Sequence, residues 1–293
     1  MTSNDSSLAA VKAPKKMTPS ADFDTRQGPV TGFVLQIVLY AIYLYYWVYG
    51  YLHKLFHRSM YQIAGWAGYH HRSPQLIRND VSKLSKIPQH IAVVLTVRPP
   101  SAERGGLDGL LHDAGEISSW CVGAGSPELT IYERSGILKS QPLQDILRHV
   151  KARLEKYFGE DGIPTLEIRR ATQQPLIFKG IPGSKLRINL LSEKDGRSEV
   201  VSMTRRFVEL AREKKIAPND ITLQSVDDEM RKSVGSEPDL VLMFTPRIDL
   251  QGYPPWQIRL SEMFYLQDNN SVSYLAFKTA LEKFAKVKIN IGK

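Results

Sequence analysis

Apolar residues follow two rhythms along the chain. Short segments dense in apolar residues, Ile91 to Leu95, Leu129 to Tyr132, Leu166 to Arg169, Leu186 to Leu191 and Leu240 to Phe244, read as buried strands. Between them the spacing becomes helical. Leu110, Leu111, Ala114, Ile117, Trp120 and Cys121 mark a helix from Leu107 to Val122, which Gly123 and Gly125 end. Further helices are predicted from Leu143 to Phe158, from Gly196 to about Lys215, from Ile221 to Lys232 and from Ser271 to Val287. Strands alternating with helices imply an α/β domain, a mostly parallel central sheet wrapped by helices. After Phe244 the pattern breaks. Pro246, Gly252, Pro254 and Pro255 cannot continue a strand or helix, and the apolar pattern resumes at Trp256, Ile258, Leu260, Met263 and Phe264. A strand running into a polar, turn-rich loop is where parallel sheets place their ligand sites.

The N-terminal part follows neither rhythm. Residues 1–31 are rich in Ser, Thr, Ala, Pro and Lys and read as a disordered tail. Gly32 to Leu52 carries no charge, and at about 1.5 Å per residue it is long enough for a bilayer core of about 30 Å. Tyr45, Tyr46, Trp47, Tyr49 and Tyr51 crowd its end like an interfacial belt, with Lys54 and Arg58 behind them as head-group anchors. A signal peptide would start nearer the N-terminus and end in small residues, so a single transmembrane helix is expected over 32–52. Orientation is not set by charge: Lys12, Lys15, Lys16 and Arg26 nearly balance Lys54, Arg58 and Arg72. Residues 53–82 read as a juxtamembrane linker, with the globular domain over 83–293.

Composition narrows the chemistry. A net charge of +9 suits a phosphate-bearing or membrane partner. The cations are scattered and come with no zinc-finger, helix-turn-helix or RNP-like pattern, which argues against nucleic acid. The single cysteine, Cys121, excludes an intrachain disulfide. His53, His57, His70 and His71 have no carboxylate or thiol between Tyr49 and Asn79 to complete a metal shell, so no metal is expected in this chain. Asp227 and Asp228, adjacent on a helix, point about 100° apart and read as a solvated face. Gly105-Gly106 is a turn, because no Gly-Lys-Ser/Thr follows it.

Four blocks, in order from Lys86 to the end, resemble the cis-prenyltransferases. Pro88, His90 and Ala92 fit the first; Trp120-Cys121 with Leu129-Thr130-Ile131-Tyr132 the second; Gly196-Arg197-x-Glu199-Val200 the third; Asp239-Leu240, Tyr253, Trp256-Gln257 and Glu262 the fourth. The charged residues that do the family's chemistry are replaced. Thr96 stands at the position of the essential Asp, with Val97, Arg98 and Pro99 in place of Gly-Asn-Arg. Met243 stands at the substrate-binding Arg, Arg247 at a Glu, and Asp249 at the second Arg, while Glu133-Arg134-Ser135-Gly136 replaces Phe-Ser-x-Glu-Asn. Departure of an allylic diphosphate needs Mg²⁺ on a carboxylate and cations at the leaving oxygens, and Thr96 supplies no carboxylate.

The combination resembles the Nogo-B receptor-type, non-catalytic branch of that family. The resemblance implies a subunit that pairs with an active cis-prenyltransferase, which adds isopentenyl diphosphate to farnesyl diphosphate to make the dolichol precursor for protein glycosylation. It further implies an endoplasmic reticulum membrane anchor, a cytosolic C-terminal domain, Mg²⁺ held by the partner, and a site for isoprenoid diphosphates shared with that partner. Trp256, Gln257, Arg259, Glu262 and Phe264 are the expected dimer face. The tail, with Asn290 where the branch has Arg, then Gly292 and Lys293, is expected to reach the partner's diphosphate site. The alternative function is a membrane receptor or scaffold that uses the fold only to bind protein or lipid.

Overall fold

The computed structural model describes residues 33–52, 74–102, 104–170, 173–245, 247–266 and 271–287. The expected tail over 1–31, the histidines at 53, 57, 70 and 71, Pro246, and Asn290, Gly292 and Lys293 lie outside them. The chain divides into two units, Met1–His57 and Arg58–Lys293. In the first, α1 (Phe33–Leu52) has a mean hydropathy of 1.5 and the length to cross a membrane. Its apolar side chains are exposed, and Trp47 stacks on Tyr51 at 5.7 Å.

The second unit is built on a seven-stranded sheet in the order β4-β3-β5-β2-β1-β6-β7. The strands are β1 (His90–Leu95), β2 (Glu128–Glu133), β3 (Pro164–Arg169), β4 (Leu176–Phe178), β5 (Ile181–Leu191), β6 (Leu240–Met243) and β7 (Glu262–Tyr265). All neighbours are parallel except β3 and β4. The mostly parallel α/β sheet expected from the sequence is present. β4 and β7, which the apolar pattern does not foretell, form its two edges.

One face of the sheet is covered by α2 (Pro74–Val81), α3 (Gly106–Ala124), α5 (Leu143–Phe158) and α8 (Tyr274–Lys286), which pack around Ile91, Val93, Leu95, Ile131 and Leu242. The short α4 (Ile137–Ser140) follows β2. On the other face α6 (Arg197–Arg212) and α7 (Leu223–Ser233) close a smaller cluster around Ala92, Val94, Val241 and Met243. Alternate residues of β1 and β6 thus feed two cores, which is why both strands read as continuous apolar runs.

Two boundaries shift. The C-cap of α3 is Gly125, left-handed at φ 78°, so Gly123 lies inside the helix and does not end it. A Cβ on Gly123 would come within 2.8 Å of Ile77 Cγ2, which is how α2 lies flush on α3. Ile77 and Val81 are buried, and Asp80 takes Lys278 Nζ at 2.8 Å and the Tyr274 hydroxyl at 3.1 Å. The packed domain therefore begins by Pro74, ahead of the expected boundary at Lys83.

His90 is buried where β1 begins. One ring nitrogen lies 2.8 Å from Thr130 Oγ1 and the other 3.2 Å from Ser236 Oγ, with Glu128, Glu237, Asp239 and Arg187 around it. Burial holds its pKa below the ordinary 6.5, outweighing the nearby carboxylates. Between the lowered folded value and 6.5 the unfolded chain binds more protons. His90 therefore contributes stability that is complete above about pH 6.5 and is lost as pH falls through the folded value. Thermal melts from pH 8 to 5 should show this decline, and His90→Gln should flatten it; equal slopes for both proteins would refute the assignment.

Candidate functional site

The C-terminal ends of β1, β2, β5 and β6 meet at one edge of the sheet, the position where a parallel fold holds its ligand. Thr96 is the first residue past β1 and is exposed. Its hydroxyl accepts a hydrogen bond from Gln251 Nε2 at 2.8 Å. The loop that brings Gln251 there turns sharply: Gln251 (φ 52°) and Gly252 (φ 84°) are both left-handed, and Tyr253 N–H closes the turn on Leu250 O at 2.8 Å. Asp249 accepts Gln251 N–H at 2.8 Å, and the Tyr132 hydroxyl donates to Gln251 O at 2.6 Å. Asp249 thus stabilises the loop that brings Gln251 to Thr96.

Met243, the other replaced position, is buried with Val94, Tyr132 and Tyr253; the two tyrosine rings are 5.2 Å apart. Burial raises the pKa of both tyrosines, which keeps them neutral. Glu133 is also buried. Its carboxylate accepts from Ser135 N–H at 2.6 Å, Ser135 Oγ at 2.6 Å and Ile137 N–H at 2.9 Å, tying down the first turn of α4.

Three cations near this edge are matched to carboxylates of the same chain. Arg98 lies 2.6 Å from Asp113 of α3, and Lys139 lies 2.6 Å from Asp195. Arg134 pairs with Glu193 at 3.2 Å, and this partner and hydrogen bond raise its pKa. Arg197 stands exposed at the first residue of α6. A cavity of about 240 Å³ opens beside Thr96, lined by Val97, Arg98, Asp113, Phe244 and Val272 among others. Among the described residues no group of three or more His, Cys, Asp or Glu is placed to hold a metal ion. At Thr96 itself, a neutral hydroxyl already engaged by Gln251 does not fit Mg²⁺.

The five residues expected to face a partner separate into two sets. Trp256 donates its indole N–H to Asp227 at 2.9 Å; Arg259 pairs with the same carboxylate at 2.9 Å and lies 4.7 Å over the Trp256 ring. Gln257 is buried behind α7, its Nε2 3.5 Å from Met230 O. Glu262 and Phe264 belong to β7, where Phe264 is buried and Lys283 Nζ lies 4.9 Å over its ring. Asp227 is not the solvated residue its position suggested. The Trp256 hydrogen bond first, then Arg231 and Arg259, hold its carboxyl below its ordinary pKa. Asp113 and Gln251 carry no local signal of their roles, since their partners Arg98 and Thr96 come from distant elements, whereas Asp195 also closes a local capping box with Ser192.

These observations define the class: an α/β protein with a mostly parallel sheet, at whose C-terminal edge Arg98, Arg134 and Lys139 are paired with carboxylates of the same chain. No protein-family model matches the chain. It is 34% identical over 291 residues to the dehydrodolichyl diphosphate synthase complex subunit NUS1 of Saccharomyces cerevisiae, covering 93% of this chain and 77% of that protein. The Schizosaccharomyces pombe protein of the same name is 37% identical over 231 residues, covering 76% and 84%, and the Homo sapiens one is 27% identical over 232 residues, covering 78% and 73%. Among solved structures, lavandulyl diphosphate synthase from Lavandula x intermedia matches with a TM-score of 0.49 at 14% identity, covering 71% of this chain and 99% of that one. The chain belongs to the family of dehydrodolichyl diphosphate synthase complex subunits NUS1.

Proposed function

We propose that this chain is the non-catalytic, membrane-anchoring and activating subunit of a heteromeric cis-prenyltransferase. The catalytic partner binds Mg²⁺ and elongates farnesyl diphosphate with isopentenyl diphosphate to the dolichol precursor used in protein glycosylation. In this reading α1 crosses the endoplasmic reticulum membrane once, with the sheet domain in the cytosol. The relatives are subunits of a synthase complex by name. The observation that carries the non-catalytic role is Thr96, whose hydroxyl takes Gln251 where a magnesium carboxylate is required. Support comes also from the in-chain pairing of Arg98 and Lys139, which leaves those cations balanced before any diphosphate arrives.

The full chain, purified alone and with a co-expressed catalytic subunit, is assayed with farnesyl diphosphate, labelled isopentenyl diphosphate and Mg²⁺. The pair is expected to incorporate label and the lone chain none; turnover by the lone chain would sink the proposal. Deleting Gly292 and Lys293 should lower the pair's rate by about 10²-fold, the loss typical of one preorganised donor at a developing anion. An unchanged rate with an intact complex would instead favour a scaffold that contributes nothing to the diphosphate site.

A further inference from the structure

The outer end of the sheet, away from the ligand edge, carries an unusual combination. β4 is three residues long and pairs antiparallel with β3, Ile177 opposite Glu167. A tight connection leads into β5, whose first residues, Ile181 to Lys185, are all exposed before Leu186 enters the core. Ile177 is 56% and Ile181 38% exposed, so two large β-branched side chains of the β4–β5 segment face solvent. Cations outnumber anions in this segment, although the exposed Glu160 and Asp161 stand just ahead of Ile163, whose carbonyl accepts Ile181 N–H at 2.9 Å. From residue 164 to 191 the sequence contains Arg169, Arg170, Lys179, Lys185 and Arg187 against the lone carboxylate Glu167. Glu167 is already engaged by Lys185 at 2.5 Å and Arg187 at 3.6 Å. Lys179, in the connection from β4 to β5, is exposed and has no ion-pair partner among the described residues. Lys151 of α5, paired with Glu155 at 3.3 Å, adds a cation from the neighbouring layer, 5.0 Å over the Phe178 ring.

We infer that this β4–β5 segment is a membrane-surface contact: Ile177 and Ile181 enter the headgroup region of an anionic leaflet while Lys179, Lys185 and Lys151 lie against its phosphates. Exposed apolar side chains ringed by cations are the composition that partitions to such an interface, through apolar burial and attraction to anionic lipid together. A partner's β-strand is a poorer occupant. The template is three residues long, with Pro175 just before it and Pro182 just after Ile181, and such short proline-flanked edges resist strand addition. The contact would hold the sheet domain at the bilayer by a second point besides α1. It rests on the proposal that α1 spans the membrane.

The test uses the full chain in lipid nanodiscs, with a nitroxide at Ile177→Cys; label uptake by the parent chain, whose Cys121 is buried, sets the background. Failure of α1 to insert shows separately, as absence of protein from the discs. In discs containing anionic phospholipid the label should be accessible to oxygen and protected from a water-soluble nickel chelate. In zwitterionic discs, and with Lys179→Glu added in anionic ones, that protection should be lost. Equal chelate accessibility in anionic discs, zwitterionic discs and detergent overturns the inference. So does protection in all three, which would place Ile177 against protein.

Discussion

Replacing Met243 by arginine, the residue type that the resemblance to the cis-prenyltransferases implies for that position, is expected to lower the melting temperature by about 10 °C and to restore no activity. Met243 is 2% exposed, in register with Val94 on one side and Tyr265 on the other. Tyr132 and Tyr253 pack in the same cluster, and the Tyr132 hydroxyl already donates to Gln251 O. A guanidinium placed there loses its hydration without gaining a carboxylate. A cost on the order of 3–5 kcal/mol follows for an uncompensated buried charge. In a domain of this size each kcal/mol moves the midpoint by roughly 2–4 °C. Met243→Leu, nearly equal in volume, should cost less than about 1.5 kcal/mol. The two variants separate charge burial from packing. If the arginine variant melts with the parent, the side chain has reached solvent, and the edge is more open than its hydrogen bonds imply.

That prediction depends on a contrast the sequence displays unevenly. The resemblance sets Thr96 and Met243 at replaced positions because the apolar runs that hold them are plain: Thr96 follows β1 and Met243 is the last residue of β6. α5 likewise spans Leu143–Phe158 as its spacing requires, with Ile146, Val150, Leu154 and Tyr157 inward. What neutralises the edge is not legible in the same way. Arg98 meets Asp113 across a loop, and Lys139 meets Asp195 across a helix and three strands, so no local pattern pairs them. The edge strands escape for another reason. β4 and β7 each have a single covered neighbour, so their burial is partial and their apolar period is broken. α2 is eight residues long, too short to be stable alone, and exists because Ile77 and Val81 are held against α3.

Glu116→Ala is expected to be as damaging as the Met243 change, and for the converse reason, since it removes the anion from a buried network that is otherwise complete. Glu116 is 6% exposed on the face of α3 that meets α5. Its Oε2 accepts the Tyr157 hydroxyl at 2.6 Å, Tyr157 in turn accepts the Trp120 indole N–H at 3.2 Å, and Arg153 Nη1 lies 3.0 Å from Oε1. Trp120 packs on Phe277 at 5.6 Å and on Tyr274 at 5.7 Å, so the same network reaches α8. Alanine leaves Arg153 unpaired and nearly buried, which costs about 3–5 kcal/mol. Glu116→Gln keeps an acceptor for Tyr157 and gives up only the charge, so its cost should be nearer 1–3 kcal/mol. One turn of α3 before Glu116, Asp113 holds Arg98 of the segment that carries Thr96. Glu116→Ala should therefore also speed amide exchange in residues 96–98, while Glu116→Gln leaves it nearly unchanged. Equal exchange in both variants would mean that α3 transmits nothing to the edge. The Thr96 segment would then be positioned by the Gln251 loop alone.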